Sequence, residues 1–205
     1  MDVHKTIALI PLAAKPYHAG HDGLVRIASS ENDEVHLFVS ISDRARTGEM
    51  KIDGETMFMI WKDYIEVTLP DNVKSFIDYA VTAPVSKVYN ELENAESQGS
   101  QDVYTIYSDV DDIRKYTDEM LSKVAPKLFS KGQIQRRGIE RTETVDVSGT
   151  EMREFIEDGD IVGFTALLPP AIQQHGKEIF DLLVDDVVGE SVLRRYIRSS
   201  LKFIL

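Results

Sequence analysis

The sequence predicts an α/β fold, an open parallel sheet flanked by helices, with a helical extension at the C-terminus. Two observations carry that expectation. A strand-like apolar run at 6–12 is followed by a helix-like run at 19–30 and a second strand at 35–41, which completes a right-handed β-α-β unit. Strand-like and helix-like runs then keep alternating over most of the 205 residues, and 42% apolar content is enough to bury one core. Residues 1–170 read as the main domain and 171–205 as an extension packed on it.

The first strand is apolar throughout and is expected at the centre of the sheet. A polar turn, Glu31-Asn32-Asp33-Glu34, leads to the second strand, rich in β-branched and aromatic residues. Residues 42–54 form a polar loop carrying Arg44 and Arg46. It reads as an arm bringing arginines to phosphates at the binding edge, or as a solvated connector. Residues 55–69 are expected to be helical, with Met57, Met59, Ile60, Trp61, Tyr64 and Ile65 as core rather than as a cofactor box. A weaker third strand at 73–80, a helix at 84–96 and a strand at 103–107 follow. The acidic run after it offers Ser108 or Asp109 to a pocket, or is a solvated turn. A helix at 116–129 precedes a basic loop at 131–143 with Arg136, Arg137 and Arg141, then a short last strand at 144–147. Ser148 and Glu151 have capping-box spacing for the next helix, which Gly159 ends. Helices at 171–185 and 187–205 complete the chain. The last is amphipathic and locally basic, and is expected to pack on the domain or to join two copies.

Composition excludes several classes. There is no cysteine, so thiolate chemistry, disulfides and Cys-based zinc sites are out. A net charge of -12 argues against a nucleic-acid partner, which needs a basic footprint. No signal-type run precedes the first strand and no stretch approaches membrane-spanning length, so a cytoplasmic protein with no membrane partner is expected.

The chemistry is concentrated in Lys15-Pro16-Tyr17-His18-Ala19-Gly20-His21. Two histidines spaced H-x-G-H sit where the first strand hands over to the first helix. Helix N–H groups there suit an anion, and Gly20 has no Cβ to keep a phosphate away. A second candidate is Val147-Ser148-Gly149-Thr150-Glu151-Met152-Arg153, another strand-to-helix junction. Arg153 lies three residues after Thr150 and so projects from the same side of the helix.

This pair of motifs resembles the signatures of the HxGH nucleotidyltransferase superfamily, which includes cytidylyltransferases, nicotinamide mononucleotide (NMN) adenylyltransferases and phosphopantetheine adenylyltransferase. The resemblance runs from about residue 6 to 172. It implies a Rossmann-like sheet. The chain departs from the family where Leu12 and Ala14 replace the usual glycine and aromatic, and where Lys15 replaces the usual Asp or Gln. The resemblance implies nucleotidyl transfer from ATP or CTP to a phosphate-bearing acceptor, with pyrophosphate released. His18 and His21 would donate to the α- and β-phosphates, and Lys15 would hold the acceptor phosphate or the α-phosphate. Ser148, Gly149, Thr150 and Arg153 would hold the leaving pyrophosphate. Mg²⁺ is expected to arrive with the triphosphate, liganded mainly by phosphate and water.

Ser-Gly-Thr-Glu-Met-Arg looks more like the adenylyltransferase branch, especially the NMN enzymes, which favours ATP. Arg141-Thr142-Glu143 is similar to a run in cytidylyltransferases acting on phosphorylated alcohols, although here 144–147 intervene before Ser148. The alternatives are such a cytidylyltransferase or a non-catalytic nucleotide-binding protein. His4, His36 and His175 lack comparable context and read as structural.

Overall fold

The computed structural model describes residues 4–42, 50–78 and 83–187. Five strands form one sheet: β1 (Thr6–Leu12), β2 (Glu34–Ser40), β3 (Val73–Asp78), β4 (Val103–Asp109) and β5 (Ile134–Ile139). Every neighbouring pair is parallel, in the order β3-β2-β1-β4-β5. The chain steps outward from β1 to β3, then returns to β4 on the other side of β1. The order reverses between β1 and β4, and in such a sheet a crevice opens there beyond the C-terminal strand ends.

The helices are α1 (Ala19–Glu31), α2 (Gly54–Ile60), α3 (Pro84–Ser97), α4 (Asp118–Val124), α5 (Pro126–Ser130), α6 (Gly149–Asp158), α7 (Ile161–Ala166) and α8 (Gly176–Val187). They cover the sheet on both faces, and β1 shows why its sequence is apolar throughout. Its even residues, Ala8 and Ile10, join one buried cluster with Val25, Leu37, Trp61, Met152 and Phe164. Its odd residues, Ile7 and Leu9, join a second with Phe38, Val88, Leu92 and Tyr116. The period of two in a strand divides the core between the two faces. Ile172, Ile179, Phe180 and Leu183 lie in the first cluster, so the described part of the expected extension shares the sheet's own core.

Several expectations are corrected. The basic stretch at 131–143 is not a loop: it contains β5, an edge strand whose Arg136 and Arg137 stay partly exposed. The expected last strand at 144–147 is irregular, because its backbone packs against α1 instead of pairing with a strand. The single helix expected at 55–69 is α2, then a π-helical turn at Trp61–Ile65, then a 3₁₀ turn at Glu66–Thr68. Its Met57, Ile60, Trp61, Tyr64 and Ile65 are buried as core. The helix expected at 116–129 starts only at Asp118, after a 3₁₀ turn at Asp112–Lys115, and is broken at Ala125, where Pro126 forces its predecessor out of helical geometry. A 3₁₀ turn, Pro170–His175, precedes α8. Residues 188–205, including the expected last helix, lie outside the described residues. Among the described residues no helix is long and apolar enough to cross a membrane.

Candidate functional site

The crevice between β1 and β4 holds a cavity of about 270 Å³, walled by Leu12, His18, Gly20 and His21 on one side and by Asp109, Arg141, Val145 and Ser148 on the other. It lies where the reversal of strand order places a ligand site.

His18 is the N-cap residue of α1, extended in backbone (φ -141°, ψ 172°), and its side chain makes no capping bond. The ring is therefore left to the cavity. It stacks on His21 with ring centroids 3.6 Å apart and planes 22° apart. His21 stacks in turn on Tyr17 at 5.6 Å, and Tyr17 meets Trp61 edge-on at 5.0 Å. A column of rings thus runs from the cavity into the core. Both Nδ1 atoms, of His18 and of His21, are buried without a hydrogen-bond partner. Burial pushes His18 down to about 4, and burial and then the charge of His18 hold His21 well below the usual imidazole range. Both rings are neutral at neutral pH. Buried polar atoms are normally satisfied, so two orphaned nitrogens on rings that line one cavity set this pair apart from an ordinary packed histidine pair.

Gly20 serves a close approach. A Cβ there would lie 2.9 Å from the Val145 carbonyl oxygen and 3.2 Å from the His18 ring. One turn on, a Cβ at Gly23 would lie 3.0 Å from Thr144 Cβ. The two glycines form a flat face on α1 against which residues 144–145 lie. Gly23 was not singled out in the sequence, although its i,i+3 spacing from Gly20 was the available signal. Behind this face Asp22 is buried, 2.7 Å from Arg26 Nε, with Tyr17 Oη donating to it at 3.4 Å.

The second motif is assembled as its capping pattern implies. Ser148 Oγ accepts from Glu151 N–H at 3.1 Å, and Gly159 closes α6 with φ 72°. Gly149 and Thr150 then occupy the first turn, where no helical carbonyl reaches their N–H groups. Arg153 reaches back to the first motif, donating to the Lys15 carbonyl at 2.7 Å. Lys15 is buried and donates from Nζ to the Ile52 carbonyl at 2.6 Å. The fold therefore brings His18, Gly20, His21, Ser148 and Asp109 to the cavity wall. Lys15, Gly149, Thr150 and Arg153 form an adjoining group that does not line it. Arg44 and Arg46 lie outside the described residues.

Asp109 accepts from the backbone N–H groups of Asp111 and Asp112 at 2.9 and 2.8 Å, which makes it a turn-forming residue beside the cavity. Arg141 is 3.0 Å from Asp146. Arg136 and Arg137 are used by the structure, bonding Tyr116 O, Asp118 and Glu143. His36 pairs with Glu34 and Glu91 at 2.6 and 3.2 Å and does not line the cavity. No group of three His, Cys, Asp or Glu able to hold a metal ion occurs among the described residues.

The architecture is shared with solved structures of low sequence identity. In particular, it is similar to a bifunctional NMN adenylyltransferase/ADP ribose pyrophosphatase from Francisella tularensis, at TM-score 0.55 and 16% identity, over 98% of this chain and 57% of that one. The same bifunctional protein complexed with AMP and a manganese ion gives TM-score 0.54 and 14% identity, over 98% and 56%. Thermotoga maritima TmcAL bound with alpha-thio ATP gives TM-score 0.50 and 12% identity, over 90% and 56%. The chain thus spans a little over half the length of these neighbours. No family model and no curated protein sequence matches it.

Proposed function

We propose that the protein is a nucleotidyltransferase that moves a nucleoside monophosphate from ATP to a small phosphate-bearing acceptor and releases pyrophosphate, with NMN the first acceptor to test. One observation carries the reading: the H-x-G-H pair and the N-terminus of α6 meet at the strand-order reversal, and the two imidazoles of that pair line the cavity with an orphaned nitrogen each. Neighbours of the same fold carry AMP or an ATP analogue, which supports a nucleotide here.

In this reaction an acceptor phosphate oxygen attacks the α-phosphorus, and the bond to the α,β-bridging oxygen breaks as pyrophosphate leaves. No covalent nucleophile is needed; catalysis is positioning plus charge stabilisation. His18 and His21 donate from neutral rings, and a polyanion beside them raises their affinity for a proton. The first-turn N–H groups of α6 suit the leaving pyrophosphate. Lys15 and Arg153 reach phosphate by exchanging their present backbone carbonyl acceptors. A smaller cavity of about 100 Å³ adjoins the first through Pro11, Ala13, Ser108 and Asp112, and extends past Val85 to Lys115 and Tyr116. It is the place for the acceptor's non-phosphate end. The buried Tyr116 hydroxyl there has no hydrogen-bond partner.

The described residues on the cavity do not form a protein-held metal site. A divalent cation instead fits as part of the substrate, because Asp109, Asp112 and Asp146 would repel a bare triphosphate. We further place 1–170 as the catalytic domain and 171–205 as its extension. The stowed positions of Lys15 and Arg153 favour one second reading, a protein that binds nucleotide without turnover.

Pyrophosphate release with Mg²⁺ tests both, using ATP or CTP against NMN, phosphopantetheine, glycerol phosphate and choline phosphate. Release with one pair, reduced at least about 100-fold in His21→Ala, is the expected result. Silence with a nucleotide-dependent rise in melting temperature supports the binding protein. Silence without that rise overturns the nucleotide reading.

A further inference from the structure

We propose that the protein pairs with a second copy of itself through β3, joining two five-stranded sheets into one. β3 is the outer strand beside β2. Val35 N–H donates to the Asn72 carbonyl at one end and Ile41 N–H to the Asp78 carbonyl at the other. In a parallel ladder of that register the even-numbered residues of β3 bond to β2, and Ser75 and Ile77 turn their N–H and C=O groups outward. Among the described residues no strand pairs with that edge, and an edge of this kind is a template for another strand.

The side chains say which strand. Lys74, Phe76 and Asp78 share one face of β3. Phe76 is 46% exposed, stacked on Phe38 with ring centroids 5.5 Å apart, at the margin of the helical layer on that face. The sequence Val73-Lys74-Ser75-Phe76-Ile77-Asp78 is self-complementary when reversed about Phe76. Antiparallel pairing on that centre sets Phe76 against Phe76, as a non-hydrogen-bonded pair with its side chains close together. It sets Ser75 against Ile77, whose outward groups exchange hydrogen bonds. It also sets each Lys74 against the partner's Asp78.

A lysine on an edge strand normally discourages pairing. Here the partner strand answers it with a carboxylate, twice by symmetry. Within one copy Lys74 pairs with Glu34 at 2.5 Å and Asp78 with Lys87 at 2.7 Å. Both side chains stay partly exposed, so each can be shared across the dyad. A two-fold interface built on one self-complementary strand closes on itself and stops at the dimer.

Sedimentation velocity of the full chain over a concentration series, with charge-swapped variants, tests this. The wild type is expected to dimerise. Lys74→Asp alone, or Asp78→Lys alone, sets like charges opposite each other and should weaken the dimer about tenfold or more. The double variant Lys74→Asp/Asp78→Lys restores opposite charges and should recover most of the affinity, which also shows that the swapped chains fold. A monomer at every concentration overturns the proposal. So does a dimer indifferent to the single swaps, or one that the double swap fails to restore.

Discussion

His18 and His21 are stacked between the cavity and Tyr17, with His18 only 5% exposed, whereas the side chains of Arg141 and Asp146 across the same cavity are 75% and 69% exposed. The two walls obtain their geometry from different physics. The β1–α1 wall is fixed by packing: rings on rings, and a helix face with no Cβ at two positions. The β5–α6 wall is fixed by local hydrogen bonds and exposed ion pairs, which are individually weak. Change is costly at the first wall and cheap at the second, and measurements can press on that contrast.

Acid is expected to act most strongly on the packed wall. His18 is held near 4 in the folded chain against about 6.5 when unfolded. The unfolded state therefore binds more protons between those values. Stability is unaffected above pH 6.5, falls as pH drops through the window, and has lost about 3 kcal/mol from this group below pH 4. His21 adds to the loss in the same direction. Denaturant titrations at pH 7, 5.5 and 4.5 should show a shallower acid decline in His18→Gln than in wild type; equal slopes would remove burial as the cause.

Gly20→Ala comes next. Its methyl group meets a backbone oxygen at 2.9 Å, which cannot rotate aside, so a loss of about 2 kcal/mol is expected in urea unfolding. Nucleotide affinity should fall with it, because residues 144–145 must move. An unchanged midpoint would show that the 144–145 wall yields freely. Ser148→Ala removes the hydroxyl acceptor that caps the Glu151 N–H and should cost about 1 kcal/mol, with Ser148→Asp retaining most of the wild-type stability. Asp146→Ala is the smallest expected change, within about 0.5 kcal/mol, because it breaks only an exposed pair. A larger loss would mean that the β5–α6 wall is held more firmly than its exposure implies.

The same contrast governs what could be read in the sequence. β1, α1 and β2 were legible because burial on two faces writes an apolar run and on one face a period of 3.6. Ser148 and Gly159 were legible because caps are local chemistry. β5 was not: Ile134-Gln135-Arg136-Arg137-Gly138-Ile139 lies at an edge, where arginines reach sideways to Tyr116, Asp118 and Glu143 and mask the alternation. Thr144 to Val147 showed a strand's pattern but lies against Gly20 and Gly23 instead, a relation between distant segments that no local period records. The histidine pair could be located from its spacing. The ring stacking, the orphaned nitrogens and the hold of Ile52 on Lys15 all depend on tertiary packing.

The column of rings behind the histidines ends at Trp61, the single tryptophan of the chain. Its indole is fully buried and touches Tyr17, which touches His21. The molecule therefore carries an optical reporter two side chains from its cavity. Light absorbed selectively by that indole samples only this neighbourhood, so its emission tracks the histidines without any dye or label.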